Sequence, residues 1–269
     1  MTQLRNYEAQ ATDFGNPNWV ALQTIVRTEI RRFTRIWVQT LIPPAITMTL
    51  YFIIFGSLIG QRIGSMNGFD YMAYIVPGLI MMSVITNAYA NVSSSFFGAK
   101  FGKFIEEMLV SPISNQTILV GYIVGGVARA LAVAVIVTGL SLFFTDLRVH
   151  NVFAVISIAV LTAVLFSILG LINGIYAKRF DDVSIVPTFV LTPLTYLGGV
   201  FFSIELLPSF WASIAQLNPI LYVVNAFRFG ILGVSDISLV WAYGILISLT
   251  LVTYMMALRL LQNGAGVRS

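Results

Sequence analysis

The sequence predicts an all-α integral membrane protein with six transmembrane helices, and three observations lead to this fold class. The chain has 269 residues, of which 58% are hydrophobic and only 10% are charged, whereas about 25% of the residues of a typical soluble domain are charged. Six apolar runs are each long enough to cross a bilayer core, which takes about 20 residues. The basic residues alternate between the two sides of these runs. These features argue against a soluble globular enzyme and exclude a disordered chain.

The first 35 residues precede the spans. Residues 1–16 contain no apolar core of a signal peptide, so we expect a cytoplasmic tail there. Residues 17–35 predict an amphipathic interfacial helix, because Asn16 offers a capping side chain and Pro17 suits the first helical position. Its apolar face would hold Trp19, Leu22, Val26, Ile30 and Phe33, and its basic face Arg27, Arg31 and Arg35. Such a helix would lie in the cytoplasmic interface, either as a topology anchor alone or also in contact with a cytoplasmic partner.

A single transmembrane domain is expected over residues 36–262, with no internal repeat. Its six predicted spans cover residues 36–60, 71–97, 118–144, 152–177, 183–202 and 239–261. Prolines at positions 43, 44, 77, 187 and 193 are expected to kink their helices. The glycine pairs Gly121/Gly125 and Gly170/Gly174 are spaced to allow close helix contact.

Charge decides the predicted orientation. Of the 15 lysines and arginines, 11 lie before the first run, after the second, after the fourth and at the end of the last. Positive charge marks the cytoplasmic side. Both termini, including a tail of residues 263–269, are therefore expected in the cytoplasm. The net charge of +4 is explained in this way, and no nucleic-acid partner is predicted.

A seventh apolar stretch, residues 210–233, is broken by Asn218, Pro219, Asn225 and Arg228. An arginine at mid-bilayer depth costs roughly 2.5–3.5 kcal/mol on insertion scales. We therefore expect residues 204–236 to form a broken, re-entrant helix pair on the extracytoplasmic side, since irregular backbone at membrane depth needs protein or a wet cavity around it.

The sequence contains no recognisable catalytic motif. There is no cysteine, one histidine and no phosphate-binding P-loop, so no catalytic, cofactor-binding or metal-binding residues are predicted. Paired carboxylates occur at Glu106–Glu107 and Asp181–Asp182 in predicted cytoplasmic loops. They are either solvated loop charges or part of a docking surface. The loop at about 100–115 has apolar residues at helical spacing, which predicts a short amphipathic helix that ends at Pro112.

Polar residues within the predicted spans have two interpretations: they form hydrogen bonds between helices, or they line a pathway. Arg129 is the one charge within a span, and it either snorkels to the interface or has a function. The sequence predicts no acidic residue at mid-membrane depth, and this argues against a proton-driven carrier.

Several motifs together resemble one family. They are an E-E-x-L-x-x-P loop at 106–112, an L-P-x-F-W motif at 207–211, and the segments ITMTLYFIIFG (46–56), VPGLIMMSVITNAYANV (76–92), SSFFGAKF (94–101), FDDVSIVPTFVLTPLTYLGGVFFS (180–203), LNPILY (217–222) and VRS (267–269). From about Trp19 to its end, the chain resembles the membrane subunit of an ABC-2 type ATP-binding-cassette exporter.

The resemblance implies a location, partners and roles that the residues alone do not, and the location it implies is a bacterial inner membrane. It implies a homodimer driven by two copies of a separate ATPase subunit, which would hold the ATP and Mg, so that this chain is a permease and not an enzyme. Implied ATPase-docking residues are Arg31, Arg35, Lys103, Glu106, Glu107, Leu109, Pro112, Asp181 and Asp182. Implied pathway candidates are Gln39, Thr47, Asn87, Tyr89, Asn91, Thr192 and Tyr196. Implied outer-gate residues are Leu207, Pro208, Trp211, Asn218 and Pro219.

The substrate is the least determined part of this expectation. We expect a drug-like molecule or a lipid or glycolipid amphiphile, together with membrane lipid around the protein. The alternatives are a permease that exports polysaccharide or lipid-linked oligosaccharide, and a secondary carrier or channel outside the ATP-binding-cassette class.

Overall fold

A computed structural model of the protein describes residues 16–264 and residue 266. Within this part the chain is helical almost throughout, and one short antiparallel hairpin pairs β1 (Ser65–Met66) with β2 (Phe69–Asp70). The all-α fold class is confirmed. The predicted tail at 1–16, apart from Asn16, and most of the tail at 263–269 lie outside the described residues.

The first half of the described chain forms five helices. They are α1 (Pro17–Arg35), α2 (Trp37–Ile63), α3 (Tyr71–Phe101), α4 (Phe104–Val110) and α5 (Asn115–Ser141). α2 is irregular, because it bends at Leu41 just before Pro43 and is π-helical over Phe52–Ile59. α3, in contrast, continues through Pro77.

The second half adds five helices and a 3₁₀ turn at Ile204–Leu206. They are α6 (Val152–Tyr176), α7 (residues 180–196), α8 (Ser209–Gln216), α9 (Pro219–Leu232) and α10 (Leu239–Asn263). α7 begins and ends as α-helix but is π-helical over Pro187–Leu191. The prolines expected to kink the chain at 43–44 and at 187 thus coincide with real irregularities.

Five of these helices, α2, α3, α5, α6 and α10, are long and apolar enough to cross a membrane. Their bounds differ by a few residues from the predicted runs, because polar caps such as Ser114 begin a helix before its apolar run does. The predicted span at 183–202 corresponds to α7, which ends at Tyr196 and continues as a turn. A sixth crossing therefore stays a prediction.

α3 is the centre of the bundle. Its 31 residues make it about 46 Å long at 1.5 Å per residue, which exceeds a bilayer core of about 30 Å. It is buried along most of its length, and its neighbours are α5, α6 and α9. The two ends of α3 define two ends of the molecule, which we call the Phe101 end and the Tyr71 end.

Two glycine pairs lie where helices approach each other closely. A Cβ at Gly121 or Gly125 would collide with Ile25 or Glu29 of α1, and a Cβ at Gly170 or Gly174 would meet the backbone oxygens of Tyr89 and Ser93 on α3. The predicted close approach at both glycine pairs is confirmed, between α5 and α1 and between α6 and α3.

The buried face of α1 differs from the predicted one. Ile25, Glu29 and Phe33 face the bundle, whereas Trp19 and Ile30 are exposed. The prediction used only the spacing of apolar residues. In the structure, Gly121 and Gly125 of α5 leave space for Ile25 and Glu29, which lie four residues apart on α1. The Glu29 carboxylate is buried as a result. The basic residues Arg27 and Arg31 are exposed, as expected.

Candidate functional site

Two segments that are far apart in sequence meet at the Phe101 end. The Phe180 ring, at the start of α7, packs against Phe101 and Phe97 of α3 with ring centroids 4.9 and 5.0 Å apart. Lys100 Nζ donates hydrogen bonds to the carbonyl oxygens of Ile175 (2.5 Å) and Ala177 (2.8 Å). These contacts fix segment 178–182 beside segment 101–112. We call the exposed residues of these two segments the docking face.

The segment 101–112 contains the predicted short helix. α4 begins after Lys103, whose positive φ of 63° turns the chain sharply away from α3. Ile105 is fully buried and anchors α4, while Phe104, Glu107 and Val110 are exposed. The helix ends at Val110, because Ser111 is extended ahead of Pro112. This agrees with the predicted amphipathic helix and with its end at Pro112.

The predicted docking residues fall into two groups. Lys103, Glu107, Pro112 and Asp181 are exposed on the docking face, and Glu106, Leu109 and Asp182 are half-buried beside them.

Arg31 and Arg35 are also exposed, but on α1. Asn18 at the start of α1 accepts hydrogen bonds from Ser114 N (2.7 Å) and Thr117 Oγ1 (3.1 Å). Arg31 lies 13 residues further along α1, about 20 Å away at 1.5 Å per residue, so the structure does not bring it to the docking face.

Asp182 stabilises the start of α7. Its carboxylate accepts hydrogen bonds from the backbone N–H groups of Lys178 (2.9 Å) and Arg179 (3.0 Å), and Arg179 Nε lies 3.8 Å from the other carboxylate oxygen. These two backbone hydrogen bonds hold the pKa of Asp182 below its ordinary value, since they favour the charged form. The paired carboxylates therefore differ: Asp182 shapes the loop, and Asp181 is exposed.

Sequence reasoning missed a buried ionic cluster beneath α1. Arg32 Nη2 donates to Glu29 Oε2 (3.2 Å), to the backbone oxygen of Asn91 (2.9 Å) and to Asn91 Oδ1 (2.9 Å). Ser95 Oγ donates to the other oxygen of Glu29. A single glutamate among arginines looks solvated in the sequence. The Gly121/Gly125 pair was the available clue, because the two glycines are four residues apart on α5 and leave space for Ile25 and Glu29, which are four residues apart on α1.

Arg129 lies close to this cluster. Its Nη2 donates to the backbone oxygen of Thr40 (3.5 Å), in the irregular first part of α2. Its guanidinium is therefore turned towards protein, at the junction of α1, α2 and α5. This contact does not decide between a snorkelling residue and a functional one, so both interpretations stay open.

The predicted outer element forms two helices of opposite character at the Tyr71 end. α8 is mostly exposed, with Trp211 and Pro208 at the surface and Leu207 half-buried, whereas α9 is mostly buried. Asn218 caps α9 by accepting from Ile220 N (3.0 Å), and its Nδ2 donates to the carbonyl oxygen of Leu194 in α7 (2.5 Å). The break at Asn218–Pro219 thus joins the outer element to α7.

Arg228 of α9 is fully buried within the protein. Its Nη2 donates to the carbonyl oxygen of Gly199 (2.6 Å) and its Nε to that of Tyr74 (3.3 Å). Its guanidinium carbon lies 3.9 Å from the centre of the Tyr74 ring, within the distance of a cation–π contact. Asp236 lies close enough to interact with this charge. Two carbonyl oxygens and a ring therefore surround this charge in place of water, while Arg228 Nη1 has no hydrogen-bond partner among the described residues.

The pathway candidates divide by location. Gln39 and Thr47 on α2 and Thr192 and Tyr196 on α7 are exposed, and Asn87, Tyr89 and Asn91 on α3 are buried. α2 and α7 share one face: the hydroxyls of Tyr51 and Tyr196 are 3.2 Å apart, and Phe55 stacks on Phe201 at 4.5 Å. The structure therefore places Tyr196 of α7 beside α2 and leaves the candidates of α3 inside the bundle.

Comparison with known proteins agrees with this architecture. The family model for the ABC-2 type transporter matches residues 20–232. The inner membrane transport permease YadH of Escherichia coli (strain K12) is 61% identical over 251 residues, which cover 93% of this chain and 98% of that protein. Nodulation protein J of Rhizobium leguminosarum bv. viciae is 23% identical over 253 residues, which cover 93% of this chain and 95% of that protein. The chain therefore belongs to the ABC-2 type transporter family and is a multi-pass helical transport permease of the inner membrane.

Proposed function

We propose that this permease is the transmembrane subunit of an ATP-binding-cassette exporter, and that two copies of a separate ATPase subunit bind its docking face. The observation that carries the proposal is the meeting of segments 101–112 and 178–182 at the Phe101 end. The resulting face exposes apolar side chains such as Phe104 and Val110 between charges of both signs. An exposed apolar patch rimmed by polar residues is typical of a protein interaction site.

The attachment of the docking face supports a mechanical role for it. Ile105 is buried in the same apolar cluster as Phe96 of α3 and Ile118 of α5. Displacement of α4 by the partner would therefore move α3 and α5 as packed bodies, since close-packed interiors transmit strain. ATP binding would close the ATPase pair, and the bundle would respond by a rigid-body shift between two states. The work would come from the different affinity of those states for nucleotide.

The exposed face shared by α2 and α7 is the proposed contact between two protomers. The two helices expose apolar side chains such as Leu58 and Phe189 and polar ones such as Gln39 and Thr192. Both helices contain π-helical turns, which occur often at functional sites. We infer that the translocation pathway runs between the protomers along this face, with residues 204–236 as its outer gate.

The distribution of charge supports the proposed orientation. Lys103, Lys178 and Arg179 lie at the Phe101 end, together with the end of α10 that carries Arg259. Under the positive-inside rule this end faces the cytoplasm. Both termini would then be cytoplasmic, and an ATPase could reach the docking face.

The proposed substrate is a drug-like molecule or a lipid or glycolipid amphiphile. Export of polysaccharide or of a lipid-linked oligosaccharide is the alternative within the family, and a secondary carrier or channel is the alternative outside it. The proposed division of labour leaves ATP and Mg on the partner subunit. This chain then supplies the pathway, the docking face and the contacts with a second copy and with lipid.

The test is copurification of the tagged permease from native membranes, followed by an ATPase assay. We expect a stoichiometric partner with a phosphate-binding P-loop and vanadate-sensitive hydrolysis. Glu107→Lys on the docking face should reduce the recovery of the partner. Glu205→Lys is the matched control, because Glu205 is also exposed but lies at the Tyr71 end. A folded permease that recovers no nucleotide-binding partner would overturn the proposal, as would equal recovery with both variants.

A further inference from the structure

The ionic cluster beneath α1, taken together with Arg129, carries more positive charge than negative. It contains the guanidinium groups of Arg32 and Arg129 but a single carboxylate, that of Glu29. Arg129 lies close enough to Arg32 for their like charges to interact, and none of the ion pairs between described residues includes Arg129. A charge that is partly removed from water is unfavourable unless an opposite charge compensates it. This part of the protein therefore lacks one negative charge.

The two arginines also have hydrogen-bond donors that the protein does not use. Arg32 makes its hydrogen bonds through Nη2, and so does Arg129. Nε of each arginine is enclosed by protein without a partner. Nη1 of each arginine also donates to no described residue, but it is not enclosed, and 32% of the Arg32 side chain is exposed. The Nη1 groups are therefore the donors that an anion can reach from outside the bundle.

The cluster lies at the depth of phospholipid headgroups. Arg32 binds Asn91 of α3, which is 20 residues from the Tyr71 end of that helix. Twenty residues correspond to about 30 Å, the thickness of the hydrocarbon core. With the Tyr71 end at one edge of the core, Asn91 and Arg32 lie at the other edge. Trp37 follows Arg32 by five residues and is 54% exposed, and tryptophan is enriched at this level of a membrane.

The surface around the cluster favours a ligand with net negative charge. Arg31 and Arg35 are exposed near the end of α1, and Glu29, the one acidic residue of this helix, is buried. Basic residues at the membrane surface attract anionic lipids. In the described part of the chain, α7 is not a main neighbour of α1 or of α5. The cluster therefore does not need the proposed contact between protomers along α2 and α7.

We propose that Arg32 and Arg129 bind the phosphate of an anionic phospholipid, such as phosphatidylglycerol, from the leaflet at the Phe101 end. The phosphate supplies the missing negative charge and oxygen acceptors for the Nη1 groups, and the planar guanidinium group suits phosphate oxygens. The acyl chains would lie in the surrounding bilayer, so the site needs no apolar pocket. The proposal gives Arg129 a function besides snorkelling. It does not rest on ATPase docking or on transport, and it holds for either orientation of the termini.

The test is native mass spectrometry of the full-length, delipidated permease in detergent. The protein is titrated with three lipids that have the same acyl chains: phosphatidylglycerol, phosphatidylethanolamine and diacylglycerol. We expect one saturable phosphatidylglycerol for each chain. Phosphatidylethanolamine should bind more weakly, because its ammonium group offsets the charge of its phosphate. Diacylglycerol has no phosphate and should not show saturable binding.

Two variants and a control test the assignment to these residues. Arg129→Gln removes the charge, so we expect phosphatidylglycerol to bind about tenfold more weakly, the lower limit for a hydrogen bond to a charged group. Arg129→Lys keeps the charge and should lose less affinity. Arg259→Gln is the matched control, because Arg259 is also exposed at the Phe101 end but lies on α10, and its affinity should equal that of the wild type.

Several results would overturn the proposal. Equal binding of phosphatidylglycerol and diacylglycerol would exclude phosphate recognition, and equal binding of the two phospholipids would exclude a preference for an anionic lipid. Equal affinity in the wild type and in Arg129→Gln, or equal loss in Arg129→Gln and Arg259→Gln, would exclude this cluster as the site.

Inorganic phosphate offers the same chemistry from another source, so it is added in a separate titration. We expect phosphatidylglycerol to stay bound at an equal concentration of inorganic phosphate. Complete displacement would assign the site to free phosphate and overturn the lipid. If Arg129→Gln does not fold, Arg129→Lys and the comparison of lipids on the wild type still decide the outcome.

Discussion

The ionic cluster beneath α1 gives the sharpest test of the packing. Arg32→Met keeps much of the length of the side chain and removes its charge, and so leaves the Glu29 carboxylate buried without a cation. The Glu29 side chain is 5% exposed, whereas that of Arg32 is 32% exposed. Removal of one partner from a buried ion pair typically costs about 3–5 kcal/mol. We expect about 3 kcal/mol for Arg32→Met, at the lower limit, because water reaches one third of Arg32.

Substitution of Glu29 should destabilise the protein less than substitution of Arg32. Glu29→Gln keeps an acceptor for Arg32 and can still bond Ser95, while Arg32 retains both oxygens of Asn91. We expect about 1 kcal/mol, the net value of one hydrogen bond. The double variant Glu29→Met/Arg32→Met leaves no buried charge. It should be more stable than Arg32→Met alone, because replacement of a buried pair by apolar residues is often neutral or stabilising.

The assay is reversible unfolding of the permease in mixed micelles by increasing amounts of a denaturing detergent, followed by tryptophan fluorescence. With the single variant Glu29→Met completing the double-mutant cycle, the coupling free energy between Glu29 and Arg32 should be about 2 kcal/mol, within the 0.5–3 kcal/mol seen for residues in contact. A loss below about 1 kcal/mol for Arg32→Met would contradict the prediction, since it would mean that Glu29 is not isolated from water. Equal losses for Arg32→Met and the double variant would contradict it as well.

Three further predictions concern α6, α7 and the docking face. Gly170→Ala should lower the free energy of unfolding by about 1–3 kcal/mol in the same assay, because the added Cβ would meet a backbone oxygen of α3. Gly139→Ala is the control: a Cβ there meets no described atom within 4 Å, so the free energy of unfolding should rise by about 0.5–1 kcal/mol. Asp182 has a lowered pKa, so its stabilisation of α7 is present above the ordinary aspartate pKa and is lost as the pH falls through the lowered one; hydrogen exchange of residues 178–182 should show this loss, and Asp182→Asn should flatten it. Phe180→Ala should weaken ATPase binding in a pull-down, because it releases segment 178–182 from α3, whereas Phe143→Ala, a truncation of an exposed ring outside that segment, should not.

Much of the helical plan could be predicted from the sequence, because spanning helices need long apolar runs and apolar runs are visible directly. The amphipathic helix before Pro112 and the break at Asn218–Pro219 were predictable for similar local reasons: proline ends a helix, and asparagine caps the next. The sequence could not predict that α7 ends at Tyr196, because the apolar run continues into the turn that follows it.

Sites that depend on two distant segments were less predictable. The docking face needs Phe180 against Phe101, and local periodicity does not reveal a pair of residues so far apart in sequence. Glu29 shows the same limit in another form, since its burial is decided by Gly125 on a different helix. Arg228 is a different case, because the cost of a charge in lipid predicts from the sequence alone that residues 210–233 do not cross the membrane as one helix. The structure surrounds the Arg228 guanidinium with the carbonyl oxygens of Tyr74 and Gly199, which is compatible with that prediction, and the re-entrant position of residues 204–236 stays a prediction.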